Sequence, residues 1–89
     1  MTICKHVYYS GRVQGVGFRY TAHHVAQEHD VAGFVRNLPD GRVEVKVEGS
    51  LEQVEAFLSA LAQRMAGYID KTQVVDEMPL GGEGFRVRY

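Results

Sequence analysis

Hydrophobic and polar positions follow two distinct periods along the chain. Residues 42–48 (RVEVKVE) show the cleaner one: Val43, Val45 and Val47 fall on one side, and Arg42, Glu44, Lys46 and Glu48 on the other. A period of two with one apolar face predicts a strand buried on one side only. From Leu51 the period lengthens. Leu51, Val54, Leu58, Leu61 and Met65 recur at helical spacing, reinforced by Phe57, and predict an amphipathic helix. Ser50-Leu51-Glu52-Gln53 fits a capping box at its start, and Gly67 is placed to cap its end.

The remaining segments follow with short punctuation. Residues 3–13 are rich in β-branched and aromatic types and predict a strand, which Gly15 and Gly17 break. Phe18, Ala22, Val25 and Ala26 recur at roughly helical spacing and predict a helix over 19–29. Residues 33–38 predict a short strand, and Pro39-Asp40-Gly41 turns it into the next. Residues 69–77 predict a strand with Ile69, Val74 and Val75 as its apolar members. After a loop at Pro79 and Gly81-Gly82, residues 85–89 predict a last short strand with Phe85, Val87 and Tyr89 on one face.

The order is β-α-β-β-α-β plus a short terminal strand. Two helices cannot cover both faces of a four- or five-stranded sheet, so they are expected on one face. That predicts an α+β fold, a ferredoxin-like two-layer sandwich with a mostly antiparallel sheet. The helices would pack on Val43, Val45 and Val47, leaving the other sheet face polar and wet. With no repeat or linker in the sequence, residues 1–89 are expected to form one domain.

Composition narrows the function. Ten basic residues against eleven acidic ones leave a net charge of −1, which argues against a nucleic-acid partner. No apolar run approaches the ~18–20 residues of a membrane span, and the first residues lack the pattern of a signal peptide. The single cysteine, Cys4, excludes an intrachain disulfide and a cysteine-based zinc site, and is expected to be a small buried hydrophobe. These features favour the cytoplasm. His23 and His24 are neighbours on a helix and point about 100° apart, while His6 and His29 complete no ligand spacing. No metal and no other cofactor is expected, and the histidines are read as solvated. Arg86 and Arg88 are expected either to be solvated or to pair with Asp76 and Glu77. Tyr8, Tyr9 and Tyr20, near the loop, are expected to serve packing or to shape substrate access.

The most informative segment is Gly11-Arg12-Val13-Gln14-Gly15-Val16-Gly17-Phe18-Arg19, between a strand and a helix. It is no Walker loop, since no Gly-Lys-Ser/Thr follows, and it lacks the third glycine of a dinucleotide fingerprint. Two glycines spaced by one residue let successive N–H groups point inward as an anion nest. The following helix adds its unpaired N–H groups and the positive end of its dipole. Arg19 would sit in that helix's first turn, where a cation is unfavoured unless an anion accompanies it. The residues alone leave two readings open: a tight turn with a solvated arginine, or a phosphate cradle. Asn37, read alone, is a polar residue before a turn.

Gly11–Arg19 (GRVQGVGFR) resembles one signature of the acylphosphatases. Gly33-Phe34-Val35-Arg36-Asn37-Leu38-Pro39-Asp40-Gly41-Arg42-Val43 resembles the family's other signature. Both occur in the right order, and length and element order agree with the family's ferredoxin-like fold. The resemblance implies hydrolysis of acyl phosphates to a carboxylate and inorganic phosphate. It implies that Gln14, Gly15, Val16, Gly17, Phe18 and Arg19 hold the phosphate, with Arg19 completing the grip, and that Asn37 holds the attacking water. Small acyl phosphates would be the substrates, inorganic phosphate the product and inhibitor, and the enzyme a monomer that needs no metal.

Two rival readings share the topology. The RNA-recognition fold requires aromatic residues on its central strands, and RVEVKVE has none. A small-ligand regulatory domain is the other. Turnover of a simple acyl phosphate separates an enzyme from both.

Overall fold

The computed structural model describes residues 1–89. Five strands and two helices follow in the expected order: β1 (Thr2–Gly11), α1 (Phe18–Ala26), β2 (Val31–Asn37), β3 (Val43–Ser50), α2 (Leu51–Arg64), β4 (Ile69–Glu77) and β5 (Phe85–Arg88). They form one sheet with the order β4-β1-β3-β2-β5. β1 pairs antiparallel with β3 and β4, and β2 antiparallel with β3, while β5 runs parallel to β2. This is the ferredoxin-like arrangement with one strand added at the β2 edge.

One face of the sheet carries the core. Val7 and Tyr9 of β1, Val35 of β2, and Val43, Val45 and Val47 of β3 meet Ala22, Val25, Val54, Phe57 and Leu61 of the two helices in a single buried cluster. Both helices therefore lie on the same side, as the apolar periodicities require. Ser50 caps α2 through its hydroxyl, which accepts from the Gln53 N–H at 3.2 Å. The reciprocal half of a capping box does not form. The Gln53 side-chain amide oxygen, Oε1, accepts instead from the Asp30 N–H at 3.1 Å and ties α2 to the entry of β2.

Several expectations are corrected by packing. Leu51 is 52% exposed, because the first residue of α2 projects past the end of the sheet; Phe57 takes the buried place in the stripe. Val74 and Val75 are exposed on the edge strand β4. Gly67 keeps a negative φ and makes no left-handed cap; the Tyr68 N–H closes the turn on the Met65 carbonyl at 2.9 Å. β1 ends at Gly11, where its pairing with β4 shifts register, and Val13 then turns its side chain into the core from the loop. α1 ends at Ala26, three residues early, as Glu28 and His29 donate to Val25 and Ala26 in a tightened last turn.

The open face is polar, and its side chains are connected. The two ring nitrogens of His6 lie within hydrogen-bond distance of Glu44, at 2.6 Å, and Glu77, at 2.8 Å. Arg36 pairs with Glu44 at 2.7 Å and Lys46 with Glu77 at 3.3 Å. Asp76 pairs with Lys5 at 2.5 Å. Arg86 and Arg88 cannot reach Asp76 or Glu77, because β5 and β4 are opposite edges of the sheet. Arg88 lies instead over the Phe34 ring at 4.7 Å. Buried Glu48 accepts three backbone N–H groups, from Leu80 at 3.0 Å, Gly81 at 3.1 Å and Gly82 at 3.2 Å, and so anchors the segment that leads into β5.

Candidate active site

The pairing rules decide where the chemistry-bearing residues meet. β1 and β2 are both antiparallel to β3, so they are parallel to each other, and β5 is parallel to β2. Their C-terminal ends therefore share one end of the sheet. Val43 of β3 stands opposite Tyr9 of β1 and Asn37 of β2 in the same row. The loop that leaves β1 and the last residue of β2 are neighbours although more than twenty residues separate them in the chain.

A cavity of about 280 Å³ opens at this end. Gly15, Gly17, Arg19 and Asn37 line it, together with Val13, Phe18, Tyr20, His23, Val87 and Tyr89. Gly15 and Gly17 have φ of 77° and 79°, the left-handed region that side chains resist, and this curls the loop. No oxygen of the protein accepts from the N–H groups of residues 14–17. Helix geometry leaves the N–H groups of Phe18 and Arg19 without intrahelical acceptors as well. Six consecutive backbone donors are thus unmatched in one short arc.

The side chains of that arc divide their tasks. Phe18 is 2% exposed and packs on Tyr9 at 4.9 Å between ring centroids, so it anchors the start of α1 while its backbone stays at the cavity. Val16 packs against the edge of the core. The Gln14 side chain faces away from the cavity; its amide donates to Leu38 O at 2.8 Å and Arg42 O at 2.9 Å, leaving its backbone N–H as its contribution to the loop. Arg19 is half-buried, has no carboxylate partner, and its guanidinium stacks 4.6 Å above the Tyr89 ring. Contact with the ring face leaves the guanidinium N–H groups without a protein acceptor.

Electrostatics around the cavity are one-sided. Arg19 and His23 face it, and no Asp or Glu side chain lines it. Asp40, in the turn after β2, is held below the usual carboxylate range by the Arg42 N–H and guanidinium. Tyr9 lies beneath the loop, and burial pushes its phenol far above the ordinary value, so it stays neutral. No cluster of three His, Cys, Asp or Glu side chains comes together to hold a metal ion.

Four lining residues escaped the sequence reading: Val13, His23, Val87 and Tyr89. Tyr89 and Val87 reach the cavity only because β5 adds beside β2, which nothing local signals. Tyr20, expected near the loop for packing or substrate access, rims the cavity, 75% exposed and stacked on His24 at 6.2 Å. His23 carries a legible signal that went unused: it stands four residues after Arg19 on the same helix face.

Fold and cavity together define a class, the small ferredoxin-like domains that present a donor-rich loop where parallel strands end. The chain belongs to the acylphosphatase family, whose model matches residues 5–87. It is 47% identical to the acylphosphatase of Pseudomonas paraeruginosa over 92 residues, covering 97% of this chain and 96% of that one. It is 45% identical to the acylphosphatase of Thermococcus kodakarensis over 83 residues, covering 92% and 91%. The crystal structure of acylphosphatase from Bacillus subtilis matches it with a TM-score of 0.86 at 32% identity over 100% of both chains. The chain is an acyl phosphate hydrolase. Its substrates are small acyl phosphates, which separates it from the RNA-binding and regulatory readings.

Proposed function

We propose that the N–H groups of Gln14, Gly15, Val16, Gly17, Phe18 and Arg19 and the Arg19 guanidinium hold the phosphoryl group, and that Asn37 orients the attacking water. The observation that carries this reading is that Gly15, Gly17, Phe18, Arg19 and Asn37 line one cavity, within a loop whose backbone donors are unmatched. A guanidinium fork fits two phosphate oxygens, and backbone N–H groups supply the rest of a trigonal cage. As the phosphoryl group flattens in a loose transition state, charge spreads over its equatorial oxygens, where these donors point.

The reaction needs little else. Water oxygen attacks phosphorus in line, the bond from phosphorus to the acyl oxygen breaks, and its electron pair leaves as carboxylate. The conjugate acid of such a leaving group has a pKa of about 4, so no general acid is required. The proton released by the water goes to a phosphate oxygen. Asn37 is no base, but its carbonyl oxygen accepts from the water and fixes its direction. No step calls for a metal ion or cofactor. Inorganic phosphate, which fits the same cage, acts as a competitive inhibitor. We read the enzyme as a monomer. A buried, unpaired Cys4 suits the reducing cytoplasm.

The testing experiment separates water from phosphate. Asn37→Ala is expected to collapse turnover of an acyl phosphate while calorimetry finds phosphate bound nearly as well as by the wild type. An interaction made chiefly in the transition state lowers kcat and spares ground-state binding. Loss of phosphate binding as complete as that in Arg19→Ala would place Asn37 in the cage and overturn the division of labour.

A further inference from the structure

His23 stands one helical turn after Arg19, so both side chains project from the same face of α1. That face borders the cavity, and both residues line it. The His23 imidazole is half-buried and has no ion-pair or hydrogen-bond partner within the protein. His24 is different: it is exposed, points off this face and stacks on Tyr20. The groups that share the cavity wall with His23 include Arg19 and Tyr20 from α1, Gly15 and Gly17 from the loop, Asn37 from β2, Val87 from β5 and Tyr89 beyond it. The one charged side chain among them is Arg19, a cation. A second cationic group beside it, with no Asp or Glu side chain between them, would favour an anion in the cavity.

We propose that His23, in its imidazolium form, is a second cationic contact for the phosphoryl group, so that anion affinity at this site strengthens as pH falls. The proposal rests on the reading of the Gln14–Arg19 loop as the phosphate cage. Histidine is the side chain whose charge changes between pH 5 and 8, so the contact switches across the physiological range. Two cations and six N–H groups then meet a dianion at low pH, against one cation at high pH. His23 acts on binding, with its effect in KM and inhibitor affinity, while the attack on phosphorus stays with Arg19 and Asn37.

Sulfate is the probe, because it stays a dianion over this range while phosphate changes its own charge. Its competitive inhibition constant is measured against acyl phosphate hydrolysis at pH 5.5 and 8.0. In the wild type, sulfate should inhibit about tenfold more strongly at pH 5.5, the scale of one added charge contact in a partly screened site. His23→Gln keeps size and hydrogen-bonding capacity and loses the charge. It should bind sulfate equally at both pH values and match the wild type at pH 8.0. His24→Gln should keep both the full pH dependence and the wild-type activity. A His23→Gln enzyme that retains the wild-type pH dependence overturns the proposal, and so does a wild type without pH dependence. The cage reading fails separately: sulfate that does not compete in the wild type at either pH, or that inhibits Arg19→Ala as strongly as the wild type, removes the cage and this contact with it.

Discussion

The side-chain amide of Gln14 donates to the carbonyl oxygen of Leu38 at 2.8 Å, joining the loop after β1 to the residue that follows Asn37. The same nitrogen donates to Arg42 O at 2.9 Å, on the far side of the Pro39–Gly41 turn. Leu38 N–H and Arg42 O bond each other at 2.8 Å, so the turn is closed and the amide grips it as a unit. One glutamine thus ties the loop proposed to hold phosphate to the turn that follows Asn37.

Removing that clamp should loosen the water's position more than the phosphate's. Gln14→Ala is expected to lower kcat by ~10–100-fold, the range that a misplacement of about 1 Å commands, with phosphate affinity changed by much less. Steady-state kinetics with phosphate as competitive inhibitor measure both. An unchanged kcat would show that the turn holds Asn37 in place without Gln14.

In the proposed cage, Arg19 supplies the charge-assisted part. Arg19→Ala should lose at least ~100-fold in turnover, as for removal of a preorganised donor to a developing oxyanion, and phosphate binding should fall as well. Arg19→Lys should recover little. An ammonium lacks the planar fork and cannot lie over Tyr89 as the guanidinium does at 4.6 Å. Activity near the wild-type level in Arg19→Ala would remove this residue from the site.

Gly17 tests the loop's backbone. A Cβ at this position would meet no atom within 4 Å, so the substitution is free of clashes, but φ is +79°. Gly17→Ala should therefore cost ~1–2 kcal/mol from the left-handed conformation alone. Urea unfolding reads that loss, and phosphate titration reads the accompanying change in the curl of the nest. Stability and phosphate affinity both equal to wild type would mean that the loop needs no glycine here.

Acid stability follows from two carboxylates. Burial raises the Glu48 pKa, but the N–H groups of Gly81, Gly82 and Leu80, helped by Lys46, outweigh burial and leave it below the ordinary value. Glu77 is lowered by its hydrogen bond from His6 and further by Lys46. A folded pKa below the unfolded one contributes stability above the unfolded value of about 4.3, and that contribution vanishes as pH falls through the folded value. The wild type should hold its stability from neutral pH down to roughly pH 5 and lose it progressively below. Glu48→Gln should be less stable at pH 7 by about 1.5–3 kcal/mol, the worth of hydrogen bonds to a charged group, and its decline in acid should be shallower. Urea unfolding at pH 7 and pH 3.5 decides this; parallel declines in the two proteins would show that Glu48 is not the responsible carboxylate.

Each element was legible in the sequence because its signal is local. Alternation placed Val43, Val45 and Val47 on the buried face, and helical spacing placed Val54, Phe57 and Leu61 against them. Ser50 was legible as a cap because a hydroxyl three residues before an N–H has one useful place to go. Gly15, Gly17, Arg19 and Asn37 stood out through their segments' resemblance to the family's two signatures. Side-chain preferences of this kind are set by neighbours three or four positions away, and a single chain carries that information in full.

Tertiary structure alone decided what meets at the cavity. The parallel sense of β1, β2 and β5, imposed by their shared pairing network, brings three strand ends to one place and delivers Tyr89 beneath Arg19. The same network put Arg86 and Arg88 a full sheet away from Asp76 and Glu77. It also set Leu51 beyond the sheet's end and turned His23 from one histidine among four into a wall of the site. Strand order depends on which surfaces bury one another across the whole chain, and no window of a few residues contains that balance.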